Sequence, residues 1–324
     1  MMRVVVLLDC VGDVEAYLRE LHDDELTVDI YPDATERSPQ EIHALIAGAD
    51  GIITSLRTPV DAEFLDAAGS QLKVVSNYAV GYDNIELKAA QERNVAVCFA
   101  PPPVREPTAD IAWLLLLAAA RRAHEGHILA RSGSWVGYEP GLLLGKRVIG
   151  ANLLVVGAGR IGSAIARRSL GWDMNVMYVA NSNKPNLESA PLKATRVELH
   201  EGISQADFIV VSVSLNSETI GLIGSKEFTA MKSDAVFVNV SRGAVVDESA
   251  LVDALKNEEI FAAGLDVFEK EPEIHPELLY MERAFLLPHL GSATLEDRLD
   301  LTKLAAENIM AVLYGNSAPF QVGT

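Results

Sequence analysis

The chain has two cysteines, Cys10 and Cys98, among 324 residues. Two thiols cannot build a disulfide framework, so buried apolar area must hold the fold, and a reducing compartment is expected. Basic residues are scarce too. The 27 Lys and Arg against 45 Asp and Glu leave a formal charge of −18. That balance repels phosphate backbones and argues against a nucleic-acid partner. It also means that a small anionic ligand needs a locally placed cation. Long apolar runs are missing. The longest, residues 111–120, is stopped by Arg121 and Arg122, whereas a membrane span needs about 20 residues. Near the start, the apolar run 4–8 meets Asp9 with no small-residue cleavage site behind it. It reads as a buried strand and not as a signal peptide. The final Gln-Val-Gly-Thr is no peroxisomal tripeptide. A cytoplasmic protein without membrane contact is the expectation.

What is present is apolar residue in quantity, 49% of the chain, enough for a globular core. At this length two domains are expected. Short apolar runs at 4–8, 27–31, 51–54, 73–76 and 96–98 read as buried parallel strands. Helical patterns at 14–22, 39–46 and 61–68 separate them. Pro101, Pro102 and Pro103 then predict a stiff, non-helical crossover. A long helix is predicted over 107–131, with Thr108 and Asp110 at its start. A second series of strands follows at 152–156, 175–179, 208–213, 235–239, 263–266 and 284–287. Six strands suit a dinucleotide fold. The last helix, 295–314, comes too late for that sheet and is expected to return to the first domain. The fold class is α/β, with two doubly wound parallel sheets.

Residues 152–162 read Asn-Leu-Leu-Val-Val-Gly-Ala-Gly-Arg-Ile-Gly. Gly157, Gly159 and Gly162 carry the G-x-G-x-x-G spacing of a dinucleotide-binding turn. One glycine makes the tight turn, one lets a pyrophosphate approach, and one lets helix and strand pack closely. A helix over 163–169 is expected to aim its amides at the anion.

Ligands of parallel sheets bind at the carboxyl ends of the strands, and three candidates fall there. Arg242 follows a strand within an uncharged stretch, where a guanidinium suits a carboxylate. An acidic run holds Glu269, Glu271, Glu273 and Glu277, and the residues alone do not choose among them. His289 is bracketed by Leu287, Pro288 and Gly291 at a strand end. The other six histidines fall mostly in helical or loop contexts, and His275 is a decoy inside the acidic loop.

Four stretches in this order resemble the D-2-hydroxyacid dehydrogenase family over nearly the whole chain. They are Val-Val-Gly-Ala-Gly-Arg-Ile-Gly, Asn-Val-Ser-Arg-Gly-Ala-Val-Val-Asp-Glu, Gly-Leu-Asp-Val-Phe-Glu-Lys-Glu-Pro and Pro-His-Leu-Gly-Ser-Ala-Thr. The segment 76–84 and the phrase 117–122 are most similar to glyoxylate and hydroxypyruvate reductases. The resemblance implies a nucleotide-binding Rossmann domain, 103–289, inserted into a substrate-binding domain made of 1–102 and 290–324. It implies that Arg242, Glu271 and His289 are catalytic, with no metal. His289 would act as the acid and Glu271 would favour its charged ring. It implies that Tyr78, Ala79, Val80 and Gly81, with Arg242 and His289, face the substrate. The cofactor set it implies is Gly157, Gly159, Arg160, Ile161, Gly162, Ala180, Asn181, Ser182, Lys184, Val213, Val240, Ser241, Asp266, Ser292 and Thr108. Asp266 is the residue expected to meet the nicotinamide amide.

The expected reaction is reduction of glyoxylate or hydroxypyruvate to the D-2-hydroxy acid. Alternatives on the same scaffold are a phosphoglycerate- or lactate-type dehydrogenase and a dinucleotide-sensing corepressor. An NAD-reading fold ends its second strand with an acid. Here that position is Ala180, followed by Asn181, Ser182, Asn183 and Lys184. The missing acid favours NADPH, with NAD possible, although the loop lacks the arginine of NADP-preferring relatives. A homodimer through 107–150 is implied, and Trp135 and Tyr138 lie where relatives present aromatics to a neighbouring subunit.

Overall fold

The computed structural model describes residues 2–21 and 26–323. In chain order the elements are β1 (Met2–Val6), α1 (Val14–Leu21), β2 (Leu26–Ile30), α2 (Pro39–Ile46), β3 (Gly51–Thr54), α3 (Ala62–Ala68), β4 (Val74–Asn77), α4 (Leu87–Glu92) and β5 (Ala96–Cys98). Then come α5 (Pro102–Ala120), α6 (Ala123–Ser132), β6 (Asn152–Val156), α7 (Arg160–Arg168), β7 (Asn175–Val179), α8 (Pro185–Glu188), β8 (Thr195–Arg196) and α9 (Leu199–Gln205). The chain ends with β9 (Phe208–Val211), α10 (Ser225–Ala230), β10 (Val236–Asn239), α11 (Glu248–Lys256), β11 (Ala262–Leu265), β12 (Ala284–Leu286) and α12 (Leu295–Leu313).

These elements form two compact units. One comprises Met1–Val104 with Ser292–Thr324, the other Arg105–Gly291. The first holds a five-stranded sheet in the order β2-β1-β3-β4-β5, all strands parallel. Side chains alternate across it. Val4, Val6 and Ile53 face a core shared with Leu301, Ala305 and Ile309 of α12, while Val5 and Ile52 face the core of α2, α3 and α4. This two-sided burial is why the strands read as unbroken apolar runs.

The second unit holds seven parallel strands in the order β12-β11-β10-β9-β6-β7-β8. Counted from β6, the order is 3-2-1-4-5-6 with one further strand. It reverses between β6 and β9, and ligands of doubly wound sheets bind at such a switch point. Leu153 and Val155 of β6 face the α5 and α7 side, and Leu154 and Val156 the side of α9, α10 and α11.

The proline-rich crossover is not what the composition suggests. Pro102 and Pro103 are the first residues of α5, not a non-helical link, and Pro107 lies inside it. The first-turn amides of a helix have no internal partner, so proline forfeits nothing there. Thr108 and Asp110 are consequently mid-helix and cap nothing. The predicted helix 107–131 is two helices, broken where Arg122 adopts φ +54°. The helix after the glycines starts at Arg160, not at 163. The strands predicted at 51–54, 96–98, 152–156 and 175–179 have the observed bounds, and the other strand ends differ by one or two residues, in part because apolar runs continue past the last ladder bond. His22, the predicted end of the first helix, lies outside the described residues. The sequence reading assigns no range to α4, β8 or the helices α8 to α11, and of these α4 and β8 are too short to carry a pattern. No helix among the described residues is long and apolar enough to cross a membrane.

Gly264 in β11 shows why one motif glycine is needed. A Cβ there would lie 2.8 Å from Leu115 Cβ and 3.0 Å from its carbonyl oxygen. The strand thus touches the α5 backbone. Gly264→Ala should force the two apart and destabilise the protein by about 1–3 kcal/mol, read as a lower denaturant midpoint.

Candidate active site

The nucleotide turn begins where β6 ends. Gly157 has φ +95°, and a Cβ on it would lie 2.7 Å from Val213 and 2.8 Å from its backbone nitrogen. Gly162 sits in α7 with its would-be Cβ 2.1 Å from the Gly157 carbonyl oxygen. Gly159, between them, has nothing within 4 Å of that position. Two glycines are therefore required by packing, while the third leaves an open face over the first turn of α7. An anion can approach the amides there, so the cradle fits the diphosphate of a dinucleotide. Ser212 Oγ donates to the Gly157 carbonyl at 2.9 Å and fixes the turn to the end of β9. In the same helix turn, Arg160 is exposed and Ile161 packs on the core.

The second strand of this series, β7, leads into Ala180, Asn181, Ser182 and Lys184. The Lys184 amide donates to Tyr178 Oη at 2.8 Å, and its ammonium lies 3.4 Å from Ser182 Oγ. No carboxylate stands at Ala180. Arg196, which the sequence did not single out, reaches this loop from β8 and donates to the Ala180 carbonyl at 3.0 Å.

The three chemical candidates come together on neighbouring strands. Arg242 follows β10. Its turn is shaped by buried Asn239, whose Nδ2 donates to the Arg242 carbonyl at 3.0 Å. Asn239 Oδ1 accepts from the Ser241 amide at 3.0 Å and its hydroxyl at 2.6 Å. Ser241 and Val240 are thus buried within the turn. Arg242 Nη1 donates to the Ser241 carbonyl at 2.8 Å. Gly243 packs flat against the loop after β11, since a Cβ there would meet the Phe268 carbonyl carbon at 1.8 Å.

That loop carries Glu271. Oε1 accepts from the Phe268 amide at 3.0 Å, and Oε2 lies 2.8 Å from His289 Nδ1. Burial would raise the Glu271 pKa. The His289 bond and charge, the Phe268 amide and the Arg242 charge outweigh it and hold the carboxyl below the usual glutamate range. An ionised carboxylate only accepts, so Nδ1 must donate and the ring's Nε2 is the nitrogen left to act. A second carboxylate, Glu248 in the first turn of α11, is buried and accepts from the Glu269 amide at 2.6 Å. It ties α11 to the loop of Glu271. Neither Asn239 nor Glu248 was singled out from sequence. Their signal is burial of a polar side chain, which only coordinates reveal.

His289 itself has φ +55°, a region costly for a residue with a Cβ. Asp266 imposes it. The Asp266 carbonyl accepts from the His289 amide at 2.9 Å, and its carboxylate from the amides of Leu290 at 2.7 Å and Gly291 at 2.8 Å. Thr108 Oγ1 donates to the Gly291 carbonyl at 3.1 Å. Burial pushes the Asp266 carboxyl up to about 6, against the opposing pull of the Leu290 amide, the His289 charge and the Gly291 amide.

The predicted substrate residues Tyr78, Ala79, Val80 and Gly81 belong to the first unit, after β4. The Tyr78 side chain is buried, its hydroxyl donating to the Arg298 carbonyl at 2.7 Å. Asn77 Nδ2 donates to the Gly81 carbonyl at 2.8 Å and shapes that turn. Ser292 also lies in the first unit, its carbonyl accepting from Arg298 Nε at 3.1 Å.

Residues 113–291 match the family described as D-isomer specific 2-hydroxyacid dehydrogenase, NAD binding domain. A glyoxylate reductase of Thermococcus gammatolerans is 40% identical over 296 residues, covering 90% of this chain and 88% of that one. Another from Korarchaeum cryptofilum is 40% identical over 300 residues, 92% of this chain and 90% of that one. Among solved structures, a glyoxylate reductase from Paecilomyes thermophila superimposes with TM-score 0.90 at 31% identity, over 99% of this chain and 98% of that one. An NADPH-dependent glyoxylate/hydroxypyruvate reductase from Sinorhizobium meliloti, in complex with NADP and malonate, gives TM-score 0.83 at 28% identity over 99% and 97% of the two chains.

Gly243→Ala should shift the Arg242 turn against the Glu271 loop. A displacement near 1 Å lowers turnover about 100-fold. The expected outcome is a folded protein with strongly reduced kcat/KM, checked by steady-state kinetics beside a thermal melt.

Proposed function

The chain belongs to the D-isomer-specific 2-hydroxyacid dehydrogenase family, whose nicotinamide-dinucleotide domain it carries, and from that premise we propose that it reduces glyoxylate or hydroxypyruvate to the D-2-hydroxy acid. The observation that supports this most is the placement of Arg242, Glu271 and His289 after β10, β11 and β12, with the imidazole and carboxylate 2.8 Å apart. The relatives named for these two substrates fix their chemical class, a short 2-oxo acid. The second unit takes the dinucleotide and the first the substrate role.

In this reading Arg242 holds the substrate carboxylate by charge-assisted bonds, the local cation that so acidic a protein requires. The Gly157–Gly162 turn and the N-terminus of α7 hold the cofactor diphosphate. When bound, the reduced nicotinamide supplies a hydride to the substrate's C2. His289, protonated, donates from Nε2 to the carbonyl oxygen, which becomes the hydroxyl of the product. Glu271 keeps the ring oriented and stabilises its positive charge before the transfer. The neutral ring left behind recovers its proton from solvent. NADPH is the preferred cofactor, because no acid at Ala180 repels a 2′-phosphate and Lys184 stands nearby.

A second copy of the chain covers the segment between α6 and β6. Val136 is 89% and Tyr138 87% exposed there, beside Trp135 and Leu144. Large apolar side chains so exposed within one segment suit an association site. Val136→Asp together with Tyr138→Asp should turn a dimer into a monomer in sedimentation velocity, whereas a wild-type monomer refutes the assembly.

His289→Gln should lower kcat about 10²- to 10⁴-fold with cofactor Kd nearly unchanged. Turnover near wild type in that variant would remove His289 from the acid role. Arg242→Ala should act chiefly on KM for the oxo acid, and an unaltered KM and kcat would refute the clamp.

A further inference from the structure

The sequence places no arginine in the loop that reads the cofactor's adenosine ribose, yet the fold brings one there. Arg196 lies on β8, a two-residue strand paired in parallel with β7, where it stands opposite Tyr178. Its Nε donates to the Ala180 carbonyl at 3.0 Å, and its Nη1 to Asn183 Oδ1 at 3.1 Å. Ala180 is the position at which an NAD-reading fold places its acid. The guanidinium is thus pinned by two bonds across the loop that decides between the two cofactors. Its Nη2 is engaged by no group among the described residues.

The surface beside this loop is lined by one cation and three acids. A hollow of about 550 Å³ opens there, lined by Asn183, Glu188, Thr195, Arg196, Glu198 and Glu201. Arg196 is its one cation. Glu188 is turned in beneath the loop, accepting from the Tyr178 hydroxyl and, at 3.3 Å, from the Lys184 amide. The remaining acids repel an anion from the rest of the hollow, so it gains only beside Arg196 and the loop of Ser182, Asn183 and Lys184.

We propose that Arg196, with Ser182, Asn183 and Lys184, forms the subsite for the 2′-phosphate of NADPH, and that Arg196 is the residue setting cofactor choice. This rests on the NADPH preference proposed above and supplies its physical cause. A guanidinium grips phosphate with paired, charge-assisted bonds. NADH carries only a 2′-hydroxyl and gains little from it. Pinning the head group in advance reduces the ordering lost on binding.

The test uses the whole enzyme and its Arg196→Gln variant. Steady-state kcat/KM is measured with NADPH and with NADH, and calorimetry gives Kd for adenosine 2′,5′-bisphosphate and for 5′-AMP. The variant should lose roughly 10- to 100-fold in kcat/KM with NADPH, the worth of one or two charge-assisted bonds. Values with NADH and for 5′-AMP should hold within about twofold. Equal losses with both cofactors would mean that Arg196 only braces the loop, and the inference falls. An NADPH preference that survives the substitution overturns it too, while leaving that preference standing. A wild type that prefers NADH defeats the cofactor preference instead. The subsite then stands only if the bisphosphate binds tighter than 5′-AMP and this advantage disappears in Arg196→Gln.

Discussion

The hydrogen bond between His289 and Glu271 organises the carboxyl edge of the larger sheet. An imidazole with one nitrogen left exposed for chemistry needs a fixed tautomer and a fixed direction. A single ionised carboxylate at 2.8 Å supplies both. Keeping that carboxylate in place takes further groups: the Phe268 amide on its other oxygen and buried Glu248 beneath the Glu269 amide. Keeping the ring in place takes a positive φ, enforced by Asp266 through three backbone amides. Backbone strain at His289 is thereby balanced by an anchor buried in the sheet.

Much of this was legible in the sequence because it rests on covalent spacing. The glycine triplet, the unbroken apolar strands and the residues just past them follow from local geometry that parallel sheets impose. The rest depends on partners distant in the chain. Thr108 looks like a helix cap, but two prolines start the helix earlier and the hydroxyl turns to Gly291, 183 residues away. Tyr78 looks available to a ligand, but α12 claims its hydroxyl. Arg196 sits in a strand too short to leave a periodic trace, and its meaning comes only from lying beside β7. Glu248 looks like an ordinary first-turn acid until its burial is known.

Charge ties these observations together. With a formal charge of −18, the protein repels small anions at long range, and the screened field of distant residues cannot collect them. Affinity must come from short contacts. In the proposed reading, the amides at the N-terminus of α7 and the guanidinium of Arg242 each meet a negative group at close quarters, where solvent screening is weakest. Selection among anions then follows from shape and reach.

The edge of the larger sheet beyond β7 consists of two residues, Thr195 and Arg196. An edge so short offers a foreign strand almost no free ladder to extend, which is one way natural sheets avoid fibrous growth. Lengthening it to stiffen the arginine would lay down a template for self-association, so solubility sets an upper limit on how rigid this corner can be made.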